Sequence, residues 1–64
     1  MFTPRIKLID ARKNLKMTQE DLAKKVEISR AYLSNLEAGK YTPSLEVAGK
    51  IALHLNMSVD DLFL

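Results

Sequence analysis

Apolar residues recur along this chain at three- and four-residue spacings, and no run alternates apolar with polar long enough to make a strand. Leu8, Ala11, Arg12 and Leu15 share one face of a first helix that opens after Pro4 and ends near Asn14 to Lys16. Leu22, Ala23 and Val26 form the inner face of a second. Thr18 is its N-cap and Asp21 stands three residues on, close to a capping box. Ser29 opens a third helix, with Leu33 and Leu36 inward and "AGK" stopping it at Gly39. Thr42 and Pro43 open a fourth, proline in its first turn, with Leu45, Ala48, Ile51, Ala52 and Leu55 in an i, i+3, i+4, i+7 pattern up to a stop at Asn56. Ser58 and Asp61 cap a last short helix carrying Leu62 and Phe63. The expected class is all-α, one domain over residues 1–64.

Five helices in a chain of this length average roughly two to three turns each, and isolated helices that short are marginal in water. Packing must hold them. Only Glu27 and Ile28 separate the second helix from the cap of the third. So tight a joint forces a steep angle between the two, the helix-turn-helix geometry.

On a wheel with Leu33 at zero, Ala31, Ser34 and Asn35 lie roughly 100–160° away and make the outer face of the third helix. Arg30 and Tyr32 flank it, and Ser29 falls near the inner side. That face carries no acid and no bulky aliphatic. Ala31 and Ser34 are small enough for a flat or grooved surface to approach. Asn can bind adenine through two hydrogen bonds, Arg can do the same with guanine, and an alanine methyl can meet a thymine methyl. The face suits the major groove of DNA, although Ala, Ser and Asn are also common on any exposed helix.

Charge changes the picture by its distribution. The net charge is +2, but residues 1–41 hold nine Lys/Arg against five Asp/Glu, while residues 42–64 hold one against three. A basic first part points to a polyanionic partner there, or to an ordinary solvated surface. No cysteine is present, which excludes disulfides and Cys-based zinc sites and fits a reducing cytoplasm. The single histidine, His54, cannot build a His-rich metal site; it reads as a surface residue favoured by the helix dipole. No cofactor is expected. No nucleophile–base pair and no phosphate-binding glycine loop appears, so an enzyme is not expected. No apolar run reaches the ~20 residues of a membrane span, and "MFTPR" lacks the apolar region of a signal peptide.

"TQEDLA", "ISRAYLSNLEAGK", "PSLEVAGKIA" and "SVDDLF" follow in order, and together the segment resembles the Cro/phage-repressor type of helix-turn-helix, also called the Xre family. The likeness extends back to about Ile6 and so spans nearly the whole chain. It implies a compact five-helix, lambda-repressor-like domain whose third helix enters the major groove of double-stranded DNA. It implies base-facing and groove-edge roles for Ser29, Arg30, Ala31, Ser34 and Asn35. It implies phosphate contacts from Gln19, which also braces the third helix, and from Lys40, Tyr41 and Thr42. For Lys40, a charge favoured by the helix C-terminus reads equally well; Tyr32 reads as a half-buried ring beside the turn. Arg12 and Glu37 both face inward, and the resemblance implies a buried ion pair between them with a structural role.

The chain departs from the family at Lys16, Glu27 and Asn56, where glycine is usual. Such proteins usually dimerise on a near-palindrome with half-sites about 34 Å apart. Met1, Phe2, Ile6 and Ile9 lie off the core stripe of the first helix. With Leu64 and the acidic, apolar last helix they suggest a homodimer through the last helix, with help from the N-terminus; packing of Phe2, Ile6 and Ile9 against the last helix within one chain is the other reading. The expected function is a cytoplasmic, nucleoid-associated transcriptional regulator, a repressor acting by occlusion. The alternative is a protein-interaction module, such as the DNA-binding antitoxin of a toxin–antitoxin pair.

Overall fold

The computed structural model describes residues 2–64, so Met1 and any part it has in an interface lie outside the described residues. Five helices follow in order: α1 (Ile6–Asn14), α2 (Gln19–Val26), α3 (Arg30–Glu37), α4 (Leu45–Leu55) and α5 (Val59–Phe63). Their main packing contacts form a ring, α1 on α3, α3 on α2, α2 on α4, α4 on α5 and α5 back on α1. One core fills it. Leu8, Leu22, Val26, Leu33, Leu36 and Ile51 are its fully buried large side chains, drawn from four of the five helices. Leu62 adds the fifth.

Each helix is too short to stand alone, and the ends are tied accordingly. At α2 the Thr18 hydroxyl accepts from the Asp21 N–H, and the Thr18 N–H donates to the Asp21 carboxylate, each at 3.0 Å. That reciprocal box holds the Asp21 carboxyl below the usual carboxylate range, the Thr18 backbone N–H being the main cause. Ser29, Ser44 and Ser58 cap α3, α4 and α5 in the same manner from their hydroxyls.

The C-terminal ends of α1 to α4 share one device. A left-handed residue ends each: Lys16 (φ 61°), Glu27 (φ 62°), Gly39 (φ 81°) and Asn56 (φ 57°). Its N–H bonds back three residues, and the next N–H bonds back five, as in Met17 to Arg12, Ile28 to Ala23, Lys40 to Asn35 and Met57 to Ala52. This double closure satisfies carbonyls that the helix leaves open.

Four expectations fail locally. Leu15 is 47% exposed, because α1 ends at Asn14 and the chain turns away from the core stripe there. α4 starts later than the Thr42–Pro43 pair: the Ser44 hydroxyl accepts from the Val47 N–H, so Ser44 is the cap and Pro43 lies outside the helix. Leu45, now the first helical residue, is 83% exposed instead of lying in the core, while Val47 in the same turn packs against that core. Ser29 is exposed and not inward, since a cap residue leaves the helical path on which the wheel depends. Among the described residues no helix is long and apolar enough to cross a membrane.

Polar atoms also bridge the ring. Arg12 Nε donates to Glu37 Oε2 at 2.6 Å, and its Nη2 donates to Oε1 at 3.2 Å. Arg12 Nη1 donates to the Met17 carbonyl at 2.8 Å, and Gln19 Nε2 to Glu37 Oε1 at 3.0 Å. Both charged residues are buried. Among the described residues no buried side-chain polar atom lacks a partner.

Two measurements check this account. Arg12→Met strands the Glu37 charge and should lower unfolding stability by ~3–5 kcal/mol in urea titration; an unchanged midpoint would contradict burial of the pair. Glu27→Gly removes roughly 1 kcal/mol of left-handed strain. It also loses the 3.5 Å pair with Lys50, but Glu27 there is largely exposed and such a pair contributes little. Its melting temperature should therefore rise; a fall would mean Glu27 contributes more than its backbone conformation costs.

Candidate nucleic-acid interface

The outer side of α3 gathers the residues singled out by the sequence. Ser29, Arg30 and Ala31 are exposed at its N-terminal end, and Ser34 and Asn35 are half-buried further along. The Ser29 oxygen accepts from the Tyr32 N–H at 3.0 Å, which leaves its own O–H free to donate. Arg30 is the first helical residue, and its charge stands on the exposed end of α3. Eight residues make a helix about 12 Å long, comparable to the ~12 Å width of the major groove.

The sole acid of α3 is Glu37. It lies inside, with both carboxylate oxygens held by Arg12 and Gln19. Its charge is compensated within about a hydrogen-bond length, so Glu37 projects little negative field onto the outer face. The same contact positions Gln19. As the first residue of α2, half-buried, it reaches the last residue of α3 and locks the two helices of the turn together. A primary amide has two N–H groups, so one remains after the Glu37 bond.

Lys40, Tyr41 and Thr42 are exposed in the loop after α3. The Lys40 N–H is bound to the Asn35 carbonyl at 3.0 Å, which folds the loop back on the helix. The Tyr41 ring lies 5.8 Å from the Tyr32 ring, centroid to centroid, at a 32° tilt. Tyr32 is half-buried beside the turn. Gln19 and the loop therefore both flank the C-terminal end of α3, while Ser29 and Arg30 mark the other end.

Sequence reasoning missed Arg5. Its side chain crosses to the end of α3, where Nη1 donates to the Leu36 carbonyl at 2.6 Å and the Tyr41 carbonyl at 2.9 Å. One signal was available. Arg5 is the residue at the start of α1, where Ser, Thr, Asp or Asn is favoured and a positive charge is opposed by the helix dipole, and it makes no side-chain cap. An ill-suited cap hints that the side chain is used elsewhere. The Tyr32–Tyr41 contact left no such mark. Among the described residues no group of three or more His, Cys, Asp or Glu is placed to hold a metal ion.

Comparison with known proteins identifies the family and the fold. A helix-turn-helix family model matches residues 8–62. An uncharacterized HTH-type transcriptional regulator from Archaeoglobus fulgidus is 47% identical over 60 residues, covering 94% of this chain and 86% of that protein. The immunity repressor protein of Bacillus phage phi105 is 44% identical over 55 residues, 86% of this chain and 37% of that longer protein. The crystal structure of the restriction-modification controller protein C.AhdI from Aeromonas hydrophila superposes with a TM-score of 0.80 at 30% identity, covering 89% of this chain and 86% of that one. The chain thus has the five-helix, lambda-repressor-like fold and belongs to the Cro/phage-repressor (Xre) type of helix-turn-helix family, whose members are DNA-binding transcriptional regulators and not enzymes.

Proposed function

We propose that this protein reads double-stranded DNA sequence-specifically by laying α3 in the major groove, and that it represses transcription by occluding promoters on the nucleoid. The observation that carries this is the exposed, small, acid-free face of α3, bounded at one end by Arg30 and at the other by Gln19 and the Lys40–Thr42 loop. In this reading Ser29, Arg30, Ala31, Ser34 and Asn35 meet base edges and the groove rim. Gln19, Lys40, Tyr41 and Thr42 hold phosphates, which fix register without carrying sequence information. Similarity to a phage immunity repressor supports the negative sign of regulation.

One such module spans too few base pairs for useful selectivity, and the reading includes a homodimer on an inverted repeat. Exposed apolar side chains supply a surface for it. Leu53 is 77% and Leu64 94% exposed, and Leu45, Gly49 and Leu53 lie at four-residue steps along one side of α4. Phe2 and Ile6 are also exposed, and Ile9 is half-buried, so the first two do not pack away inside one chain. The same apolar surface is what favours the second reading, a DNA-binding antitoxin whose partner is another protein.

Selection from a random duplex library at ~150 mM salt, where weak nonspecific binding is suppressed, tests the main reading. It should recover an inverted repeat with half-site centres about 34 Å apart. Arg30→Ala and Asn35→Ala should each relax particular positions, at ~1–3 kcal/mol, while Lys40→Ala weakens all sequences alike. No enrichment over background would overturn it. Sedimentation equilibrium tests the interface. The wild-type protein should be a dimer and Leu53→Asp a folded monomer; equal masses for the two would place the contact elsewhere or remove it.

A further inference from the structure

Arg5 stands at the start of α1 yet spends its side chain on the far end of α3. Its backbone N–H donates to the Glu37 carbonyl at 2.8 Å, and its Nη1 bridges the carbonyls of Leu36 and Tyr41 at 2.6 and 2.9 Å. A cation there is favoured by the C-terminal end of the α3 dipole. The guanidinium also lies 5.4 Å from the centroid of the Phe63 ring, within the range of a cation–π contact, so α5 holds it from another side.

Besides Arg5, the loop is fixed by the Lys40 N–H on the Asn35 carbonyl and by the Tyr41 ring beside Tyr32. Tyr41, Thr42 and Pro43 lie outside any helix, and among the hydrogen bonds of the described residues only the one from Arg5 reaches any of them. Just before them, Gly39 is pressed against the N-terminal segment. A Cβ at that position would overlap the Thr3 carbonyl, and its φ of 81° is left-handed as well. Thr3 to Arg5 thus run as a strap across the base of the loop, tied to the end of α3 by the Arg5 N–H and guanidinium, and to Tyr41 by the guanidinium alone.

We propose that Arg5 is a positioning residue for DNA binding. It holds the 40–42 loop in phosphate-gripping shape from the side away from the nucleic acid, without contacting it. This rests on the DNA-binding reading above. Each phosphate contact contributes about 0.9 to the slope of log affinity against log salt, so a misplaced loop lowers that slope as well as the affinity. A purely structural arginine would lower the melting temperature and leave the binding of the folded fraction unchanged.

The test is Arg5→Met, with Arg5→Lys as the second variant. The lysine keeps the charge but ends one bond short of the Nη1 position. Binding to a mixed-sequence 20-base-pair duplex is titrated across salt below the melting temperature, and the amide NMR signals of Lys40 to Thr42 are recorded without DNA. Arg5→Met should bind about tenfold more weakly, with a slope shallower by about one to two contacts. Its Lys40–Thr42 signals should move while those of Ser29 to Ala31 stay. Arg5→Lys should show the same changes in smaller measure. Unmoved loop signals in a folded variant, or unchanged affinity and slope, would overturn the proposal. So would Arg5→Lys binding as wild type beside a weakened Arg5→Met, since charge alone would then suffice. If the wild-type protein bound no duplex, the DNA reading would fail, and the loop signals would still decide whether Arg5 shapes the loop.

Discussion

The buried pair of Arg12 and Glu37 is the contact through which the rest of this small structure is referenced. Replacing such a pair by apolar residues is often neutral or even stabilising, so its presence is not explained by stability alone. It supplies geometry. Arg12 sits on α1, Glu37 ends α3, Gln19 begins α2, and the Met17 carbonyl belongs to the joint between α1 and α2. Four hydrogen bonds meet there, so three helices take their relative positions from one planar guanidinium and one carboxylate. It also removes the sole acid of α3 from the surface that faces outward.

Short helices need firm ends, and here they have them. Side-chain caps start four of the five helices, and the same left-handed closure finishes the first four. The closure at Glu27 matters most for function, because it sets the angle at which α3 leaves α2. Only Gly39 among the four left-handed residues is a glycine, and there a side chain is also excluded by Thr3. Asn56 is tolerated there as asparagine commonly is, but Lys16 and Glu27 hold the conformation without that freedom, and at these two joints local preference opposes it. At Lys16 and Glu27 the backbone geometry is therefore imposed by the packing of the helices on either side.

What the sequence revealed follows from which features are local. Caps such as Thr18 and Ser58, the apolar stripes of α2 and α3, and the joint at Glu27 all lie within a few residues of their effects, and pattern reading finds them. Leu15 and Leu45 misled because both stand at helix ends: Leu15 lies beyond the last helical residue of α1, and Leu45 is the first of α4. Ser44 outcompeted Thr42 as a cap, a choice between two adequate residues that composition does not decide. For Arg5 the unsuited cap hinted at use elsewhere, but the place of that use was out of reach. Its partners stand more than thirty positions away, at Leu36 and Tyr41, and nothing in its own neighbourhood names them. The residues assigned to DNA came from family likeness and a helical wheel; in the structure Ser29 to Ala31 and Lys40 to Thr42 are exposed, while Gln19, Ser34 and Asn35 are half-buried.

The clamp, the capped ends and the strap at Arg5 all bear on one surface, the outer side of α3 with its flanking loop. The most direct measurement is an amide NMR titration of the folded protein with duplex DNA. The account predicts that the largest shifts fall on Gln19, Ser29 to Ala31, Ser34, Asn35 and Lys40 to Thr42, with Leu53 and its neighbours on α4 little changed. Shifts concentrated instead on α4 and α5, or a spectrum unaltered by DNA, would contradict it.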